Sequence, residues 1–292
     1  MKDLVCSLNG VLLPFSEAAL SVDDGGLLYG DGLFETLRIY GNRPFSLAQH
    51  LQRLETGAAF LEIPLPDRRE LISAVEQVIR ANNVQEGSMR ITLTGGRGRN
   101  LLWPRLSEQG GTILITIRHS VPYPDHLYSR GSRAVLVSFP RNEASPLTKI
   151  KSLNFLENIL GKREAVQQGV DEGIFINTKG ELCEGTTSNI FLYDGKTLMT
   201  PLISCGILPG ITRSAVLQLT RETTGIPVEE RVLYPEDLEK AEEVFLTASI
   251  MEIMPLVEVE GKKISNGVPG PLSKMLLMNY RRQASSSDLG AR

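Results

Sequence analysis

A lysine and a glutamate stand in sequence settings that could carry chemistry. Lys151 lies within Ile150-Lys151-Ser152-Leu153-Asn154, and Glu184 opens the run Glu184-Gly185-Thr186-Thr187-Ser188-Asn189 about thirty residues later. A lysine amine whose proton is loosely held can act as a nucleophile and as a base. A carboxylate can hold a protonated ring nitrogen in place. The two residues are therefore candidates for covalent catalysis on a carbonyl compound.

The sequence around Lys151 predicts a junction between a strand and a helix. A strand is predicted over 134–139 and a helix over 154–168, which Ser152 or Asn154 is predicted to cap. The apolar residues of that helix recur at helical spacing: Leu156, Ile159, Leu160 and Val166. Lys151 is thus predicted to be held rigidly ahead of the helix while it still faces a cleft.

Glu184 is predicted to end a short strand. Residues 173–177 predict a strand, 178–180 a turn and 181–184 the returning strand. The next strand is predicted over 188–193.

Several other residues could bind anions. Ile211 and Thr212 begin a predicted helix, where backbone N–H groups and a hydroxyl could hold a phosphate, and Ser249 follows a strand predicted over 242–247. Arg53 lies beside the apolar stripe of a helix predicted over 46–61. Each of these features has an ordinary alternative, namely a capped helix, a turn or a solvated arginine.

A strand predicted over 89–94 carries Arg90 and runs into a glycine-rich loop with Arg97 and Arg99. A guanidinium group binds a carboxylate in bidentate fashion, so these arginines would suit an anionic substrate. They could also serve only to keep the loop soluble.

The composition favours an ordinary globular protein. The 292 residues are 41% hydrophobic and 22% charged, with a net charge of −3, which gives no reason to expect nucleic-acid or membrane binding. No apolar run is long enough to span a bilayer, and residues 1–6 do not resemble a signal peptide. Three widely spaced cysteines predict neither a disulfide framework nor a metal site, which favours a cytoplasmic location.

The order of predicted elements divides the chain into two α/β domains. We predict a smaller N-terminal domain over 1–118, a linker over 119–128, a larger C-terminal domain over 129–283 and a flexible tail over 284–292.

Five motifs, in this order, resemble the fold-type IV (class IV) pyridoxal-phosphate enzymes. This family includes D-amino-acid aminotransferases, branched-chain aminotransferases and 4-amino-4-deoxychorismate lyases. The motifs are Tyr29-Gly30-Asp31-Gly32, Arg53 on the first long helix, Lys151-Ser152-Leu153-Asn154, Glu184-Gly185-Thr186-Thr187-Ser188-Asn189, and Leu208-Pro209-Gly210-Ile211-Thr212-Arg213. The resemblance implies a barrel-like C-terminal α/β domain, pyridoxal 5'-phosphate bound in the cleft between the domains, and a homodimer in which a partner loop closes the substrate pocket.

The resemblance also implies individual roles. Lys151 would form the internal aldimine, a Schiff base, and later move the proton between Cα and C4′. Glu184 would pair with the protonated pyridine nitrogen, and Leu208 would pack against one face of the ring. The remaining cofactor-binding residues would hold the phosphate: Arg53, Ile211, Thr212 and Ser249.

The substrate side of the resemblance leaves several reactions open. Phe34-Glu35-Thr36-Leu37-Arg38 lacks the Phe-Glu-Gly pattern of branched-chain aminotransferases and resembles both the lyase and the D-amino-acid members. Phe34 replaces the tyrosine of the D-amino-acid carboxylate trap, Arg99 matches its arginine, and Leu101 stands where the trap has a histidine. The C-terminal run over 267–271 is typical of the aminotransferases.

We therefore predict a transaminase that works by a ping-pong mechanism between an amino acid, with D-amino acids favoured, and a 2-keto acid. Its substrate-binding residues would be Phe34, Thr36, Arg90, Arg97 and Arg99. The lyase, which releases 4-aminobenzoate and pyruvate, and a branched-chain L-amino-acid aminotransferase are the alternatives. A non-catalytic binding protein on the same fold is a further alternative, against which the intact Lys151 and Glu184 argue.

Overall fold

The computed structural model describes residues 3–98, 110–119 and 123–285, which form sheets and helices of the predicted α/β class. The chain divides into two units. The first takes in Met1–Val121 and Ile150–Asn154, and the second takes in Pro122–Lys149 and Phe155–Ser286. The segment that carries Lys151 therefore belongs to the first unit, although the chain on both sides of it belongs to the second.

The first unit is built on a six-stranded antiparallel sheet in the order β2-β1-β6-β5-β3-β4. Its strands are β1 (Val5–Leu8), β2 (Val11–Pro14), β3 (Gly32–Tyr40), β4 (Arg43–Pro44), β5 (Gly87–Thr94) and β6 (Thr112–Arg118). Its helices are α1 (Gly25–Tyr29), α2 (Leu47–Phe60) and α3 (Arg68–Asn82). The long helices α2 and α3 bury their apolar stripes against one face of the sheet.

The two faces of this sheet differ because successive side chains on a strand point in opposite directions. The core face is apolar and includes Leu33, Leu37, Ile91 and Ile115. The register pairs Phe34 with Thr92 and Thr36 with Arg90, so the opposite face brings Phe34, Thr36 and Arg90 together. All three were predicted to bind substrate.

The second unit is built on a mixed nine-stranded sheet in the order β12-β11-β10-β13-β14-β7-β8-β9, with β15 paired to β14. Its strands are β7 (Ser132–Leu136), β8 (Glu172–Ile176), β9 (Leu182–Gly185), β10 (Asn189–Tyr193), β11 (Leu198–Pro201), β12 (Val228–Arg231), β13 (Glu243–Ala248), β14 (Glu252–Val259) and β15 (Lys262–Lys263). Its helices are α4 (Asp125–Arg130), α5 (Leu156–Gln167), α6 (Ile211–Thr223), α7 (Pro235–Lys240) and α8 (Pro271–Ser285).

The sheet of the second unit curls back on itself. Strand β9 ends the path of paired strands, yet it lies beside β10 in the middle of that path. The Gly185 N–H donates to the Ser188 carbonyl oxygen at 2.6 Å, and the Asn189 amide donates to Glu184 at 2.9 Å. These two bonds hold the end of β9 beside the start of β10.

Helix α5 buries a different face from the one that its apolar spacing predicts. Its apolar residues are exposed: Leu156, Ile159, Leu160 and Val166. The buried residues are Gly161 and Ala165. A Cβ on Gly161 would lie 2.9 Å from the ring of Phe175, so a glycine lets the helix approach β8 closely. The predicted caps are also wrong, because Phe155 holds the N-cap position and makes no side-chain cap.

The predicted linker and tail lie partly outside the described residues. Within the linker, residues 125–128 belong to helix α4, and within the tail, residues 284 and 285 belong to helix α8. Among the described residues, no helix combines the length and the apolar character that crossing a membrane requires.

Candidate functional site

Lys151 is presented by a short extended segment that pairs with the start of β3. The Phe34 N–H donates to the Lys151 carbonyl oxygen at 2.9 Å, and the Leu153 N–H donates to the Gly32 carbonyl oxygen at 2.9 Å. Ser152 forms an isolated bridge with Leu33 between these two bonds. The lysine backbone is thus fixed on a strand of the first unit rather than only at the start of a helix.

The ring of Phe34 lies under two cationic side chains. The Lys151 Nζ is 4.6 Å from the ring centroid, and the Arg90 Cζ is 3.8 Å from it. Desolvation by its neighbours, and then the charge of Arg118, lower the pKa of Arg90, although much of its side chain is exposed. Because opposite charges attract, an anion beside this ring would be drawn to both cations.

A buried ionic network lies on the opposite face of β3. The Glu35 carboxylate accepts hydrogen bonds from Arg53 Nε and Nη2, both at 2.7 Å, and its Oε2 lies 2.6 Å from His50 Nδ1. Burial would raise the pKa of Glu35, but Arg53 and then His50 outweigh it and lower the pKa from 4.5 to about 2. Burial lowers the pKa of His50; the Glu35 bond opposes this shift, and Arg53 and Lys151 add to it.

The network fixes the orientation of Arg53, the predicted phosphate-binding arginine. Two of its three guanidinium nitrogens bond to Glu35, so the arginine cannot turn without breaking a bidentate pair. Sequence reasoning missed Glu35 and His50. A signal was present, because Glu35 occupies a core-facing position in an otherwise apolar strand register.

In the second unit, three donors surround the Glu184 carboxylate. Arg141 Nη1 donates to Oε1 at 2.5 Å. The Asn189 side-chain amide and the Leu208 N–H donate to Oε2 at 2.9 and 3.0 Å. The same Asn189 amide donates to the Leu208 carbonyl oxygen at 2.9 Å, which joins Glu184 to the chain just before α6. Neither Arg141 nor Asn189 was singled out as a site residue in the sequence.

The start of helix α6 has the features of an anion site. Its N-cap is Gly210, which makes no side-chain cap, so the first-turn N–H groups of Ile211 and Thr212 are not capped by a side chain. A Cβ on Gly210 would collide with the side-chain oxygen of Asn189. Ser249 lies in the turn after β13 and is half-buried. These residues fit a phosphate group.

The other polar residues of the 184–189 run hold the turn in place. The buried Glu172 carboxylate accepts hydrogen bonds from the Thr186 hydroxyl, from Thr187 at 3.4 Å and from Ser188 at 3.3 Å. The run therefore combines one glutamate that faces Arg141 with three hydroxyls that anchor the strand connection.

The predicted site residues divide between the two units. The first holds Lys151, Phe34, Thr36, Arg90 and Arg53, and the second holds Glu184, Leu208, Ile211, Thr212 and Ser249. Arg97 is exposed and pairs with Asp23 at 3.4 Å. Arg99 lies outside the described residues. No group of three or more His, Cys, Asp or Glu residues suited to a metal ion occurs in the described ranges.

The chain matches the model of the family described as amino-transferase class IV over residues 32–259. A Methanocaldococcus jannaschii protein provisionally named branched-chain-amino-acid aminotransferase is 38% identical over 276 residues, which cover 94% of each chain. The D-alanine aminotransferase of Bacillus licheniformis is 32% identical over 270 residues, which cover 91% of this chain and 92% of its own.

Solved structures show the same fold. The Escherichia coli branched-chain amino acid aminotransferase superposes with a TM-score of 0.92 at 29% identity, covering 99% of this chain and 98% of its own. A T.th. branched-chain amino acid aminotransferase with pyridoxamine 5'-phosphate superposes with a TM-score of 0.91 at 26% identity, covering 100% of this chain and 96% of its own. The predicted fold-type IV architecture is confirmed.

Replacing Glu35 with Gln should lower the free energy of unfolding by about 3 kcal/mol at neutral pH, because the change leaves partly buried Arg53 without its carboxylate. The pKa of Glu35 is about 2 in the folded protein and 4.5 for an ordinary glutamate. The stabilisation by Glu35 is therefore complete above pH 4.5 and is lost as the pH falls towards 2. Urea unfolding of the wild type and Glu35→Gln at several pH values measures it. Glu55→Gln, in the half-exposed pair with Arg68, should cost far less. If the difference in unfolding free energy between the wild type and Glu35→Gln does not become smaller in acid, this account is wrong.

Proposed function

The chain belongs to the class IV aminotransferase family, and from that premise we propose that it is an amino-acid transaminase favouring D-amino acids and working by ping-pong half-reactions. Membership of this family establishes the general activity. The protein transfers amino groups between amino acids and keto acids, and its cofactor is pyridoxal 5'-phosphate.

The placement of Lys151 and Arg90 over one aromatic ring carries this proposal. An α-amino acid presents a carboxylate next to the carbon that reacts. If Arg90 binds that carboxylate, the Cα lies near the Lys151 amine, which can then remove and return its proton. Thr36, on the same face, would contact the substrate side chain.

The cofactor-binding roles are proposed on the geometry of each unit. Bound pyridoxal phosphate supplies an electron sink for the bond broken at Cα. Lys151 would attach the cofactor through its amine, and Glu184 would accept a hydrogen bond from the pyridine nitrogen. Leu208 would pack on the ring. The phosphate would be held by the uncapped N–H groups of α6, Ser249 and Arg53, whose guanidinium Glu35 orients.

The preference for D-amino acids is proposed from the substrate face. Thr36 stands where the branched-chain pattern has glycine, and its side chain occupies space next to Arg90. Arg99 is proposed to match the arginine of the carboxylate trap, and Arg90 or Arg97 is proposed to supplement it. The relatives carry both the branched-chain and the D-alanine names, so an L-specific branched-chain activity is the second candidate.

We also propose a homodimer in the cytoplasm. The exposed apolar face of α5, formed by Leu156, Ile159, Leu160 and Val166, is a surface that a second copy would cover. The three cysteines are free and buried, as suits a reducing compartment.

A scan of half-reactions tests the proposed activity. The purified enzyme with D-alanine or D-glutamate should convert its cofactor to the pyridoxamine form, followed by absorbance, and L-leucine should do so more slowly. Arg90→Met should slow the D-donor reaction by about tenfold or more, and the exposed Arg69→Met should not. If only L-leucine reacts, the branched-chain alternative holds. If no donor reacts but aminodeoxychorismate yields pyruvate, the protein is a lyase.

The lysine assignment is tested by Lys151→Ala, which should abolish turnover while the fold stays intact. Lys149→Ala is the matched control, since that exposed lysine lies two residues away. Borohydride reduction followed by peptide mapping should label residue 151 in the wild type and in the control. Label at any other residue, or normal turnover of Lys151→Ala, would refute the assignment.

The dimer is tested by light scattering of the wild type, which should give the mass of two chains. Leu160→Glu places a charge on the apolar face of α5 and should shift the mass towards one chain, whereas Arg69→Glu, exposed on α3, should not. A monomeric wild type would contradict the homodimer, and a dimeric Leu160→Glu would remove α5 from its interface.

A further inference from the structure

We propose that Arg141 is a positioning residue that holds Glu184 in its ionised form and thereby keeps the proton on the pyridine nitrogen of the cofactor. The inference rests on the proposed pairing of Glu184 with that nitrogen. It assigns a function to a residue that the sequence motifs did not single out.

The donors around Glu184 establish its charge. Arg141 and the Leu208 N–H can only donate hydrogen bonds. The Asn189 amide nitrogen is also the donor here, because it bonds to the Leu208 carbonyl oxygen at the same time. Each of these three hydrogen bonds is stronger to an ionised carboxylate than to a neutral carboxyl group. The surroundings therefore accommodate a carboxylate.

Arg141 supplies the only formal positive charge among these three donors. Its guanidinium is buried, with 4% of the residue exposed, and lies 2.5 Å from Glu184. At that distance, away from bulk water, a cation strongly favours the ionised form of its neighbour. The other two donors are neutral amides and favour it less.

The arginine itself is held from two further sides. Its Nε donates to Glu157 at 3.1 Å, and its Cζ lies 4.0 Å over the ring of Phe175. These contacts aim Nη1 at Glu184. Lysine could not reproduce all three, because it lacks the planar fork.

The position of one proton follows from this arrangement. When a ring nitrogen and a carboxyl group share a proton, the proton resides on the weaker acid. Because Arg141 makes the Glu184 carboxyl the stronger acid of the pair, the proton stays on the ring nitrogen. A ring that keeps this proton draws electrons from the reacting carbon more strongly.

The protonation state of the ring nitrogen can be measured directly. Wild type and variants are reconstituted with pyridoxal phosphate labelled with ¹⁵N in the ring, and the ¹⁵N chemical shift is recorded against pH. The wild type should keep the protonated shift across the pH range in which it stays folded. Arg141→Met, which keeps the packing on Phe175, should move the shift towards that of the unprotonated ring at neutral pH. Arg141→Lys should lie between the two.

Glu157→Gln is the matched control, since its amide oxygen can still accept the hydrogen bond from Arg141 Nε and the charge beside Glu184 is unchanged. It should retain the protonated shift. If Arg141→Met retains that shift as well, the inference is overturned, while cofactor attachment at Lys151 still supports the proposed function. If Arg141→Met does not fold, Arg141→Gln decides, because glutamine keeps a donor but carries no charge: a shift identical to the wild type's overturns the inference. A wild type that shows the unprotonated shift overturns both the inference and the proposed role of Glu184.

Discussion

The pairing of residues 151–153 with the start of β3 is the constraint on which the site of the first unit depends. Two backbone hydrogen bonds of 2.9 Å tie this segment to Gly32 and Phe34. They place the lysine amine over the Phe34 ring, on the face of the sheet that also carries Arg90. The chain on both sides of 150–154 belongs to the second unit. These five residues alone therefore carry Lys151 to its contacts in the first unit.

Buried carboxylates organise the rest of the molecule's polar interior. Glu35 orients Arg53, Glu172 anchors the hydroxyls of the turn after β9, and Glu184 is enclosed by Arg141, Asn189 and Leu208. A buried charge is costly unless hydrogen bonds satisfy it, and each of these carboxylates has several donors. Removing one donor would leave its carboxylate partly unsatisfied. The full set of donors therefore holds each of these carboxylates in one position.

Helix α5 shows where periodicity fails. Its apolar residues have the spacing of a buried stripe, yet they are exposed, and the small residues Gly161 and Ala165 face the sheet. The pattern tells which residues share a face but not which face packs. Helix α5 packs so close to Phe175 that only small residues fit between the helix and the sheet. Its apolar face is left exposed, where another surface could cover it.

The sequence by itself determined the class of protein and the order of most strands and helices, and it predicted the lysine and glutamate of the site. These features are local, since they reside in alternation, in glycine positions and in short motifs. Only the tertiary structure decided that Glu35 and His50 fix Arg53, that Arg141 and Asn189 enclose Glu184, and that the Lys151 segment pairs with β3. The Glu35–His50 contact spans 15 positions of the chain and the Arg141–Glu184 contact spans 43. No local pattern of residues specifies which distant side chains will share one buried volume.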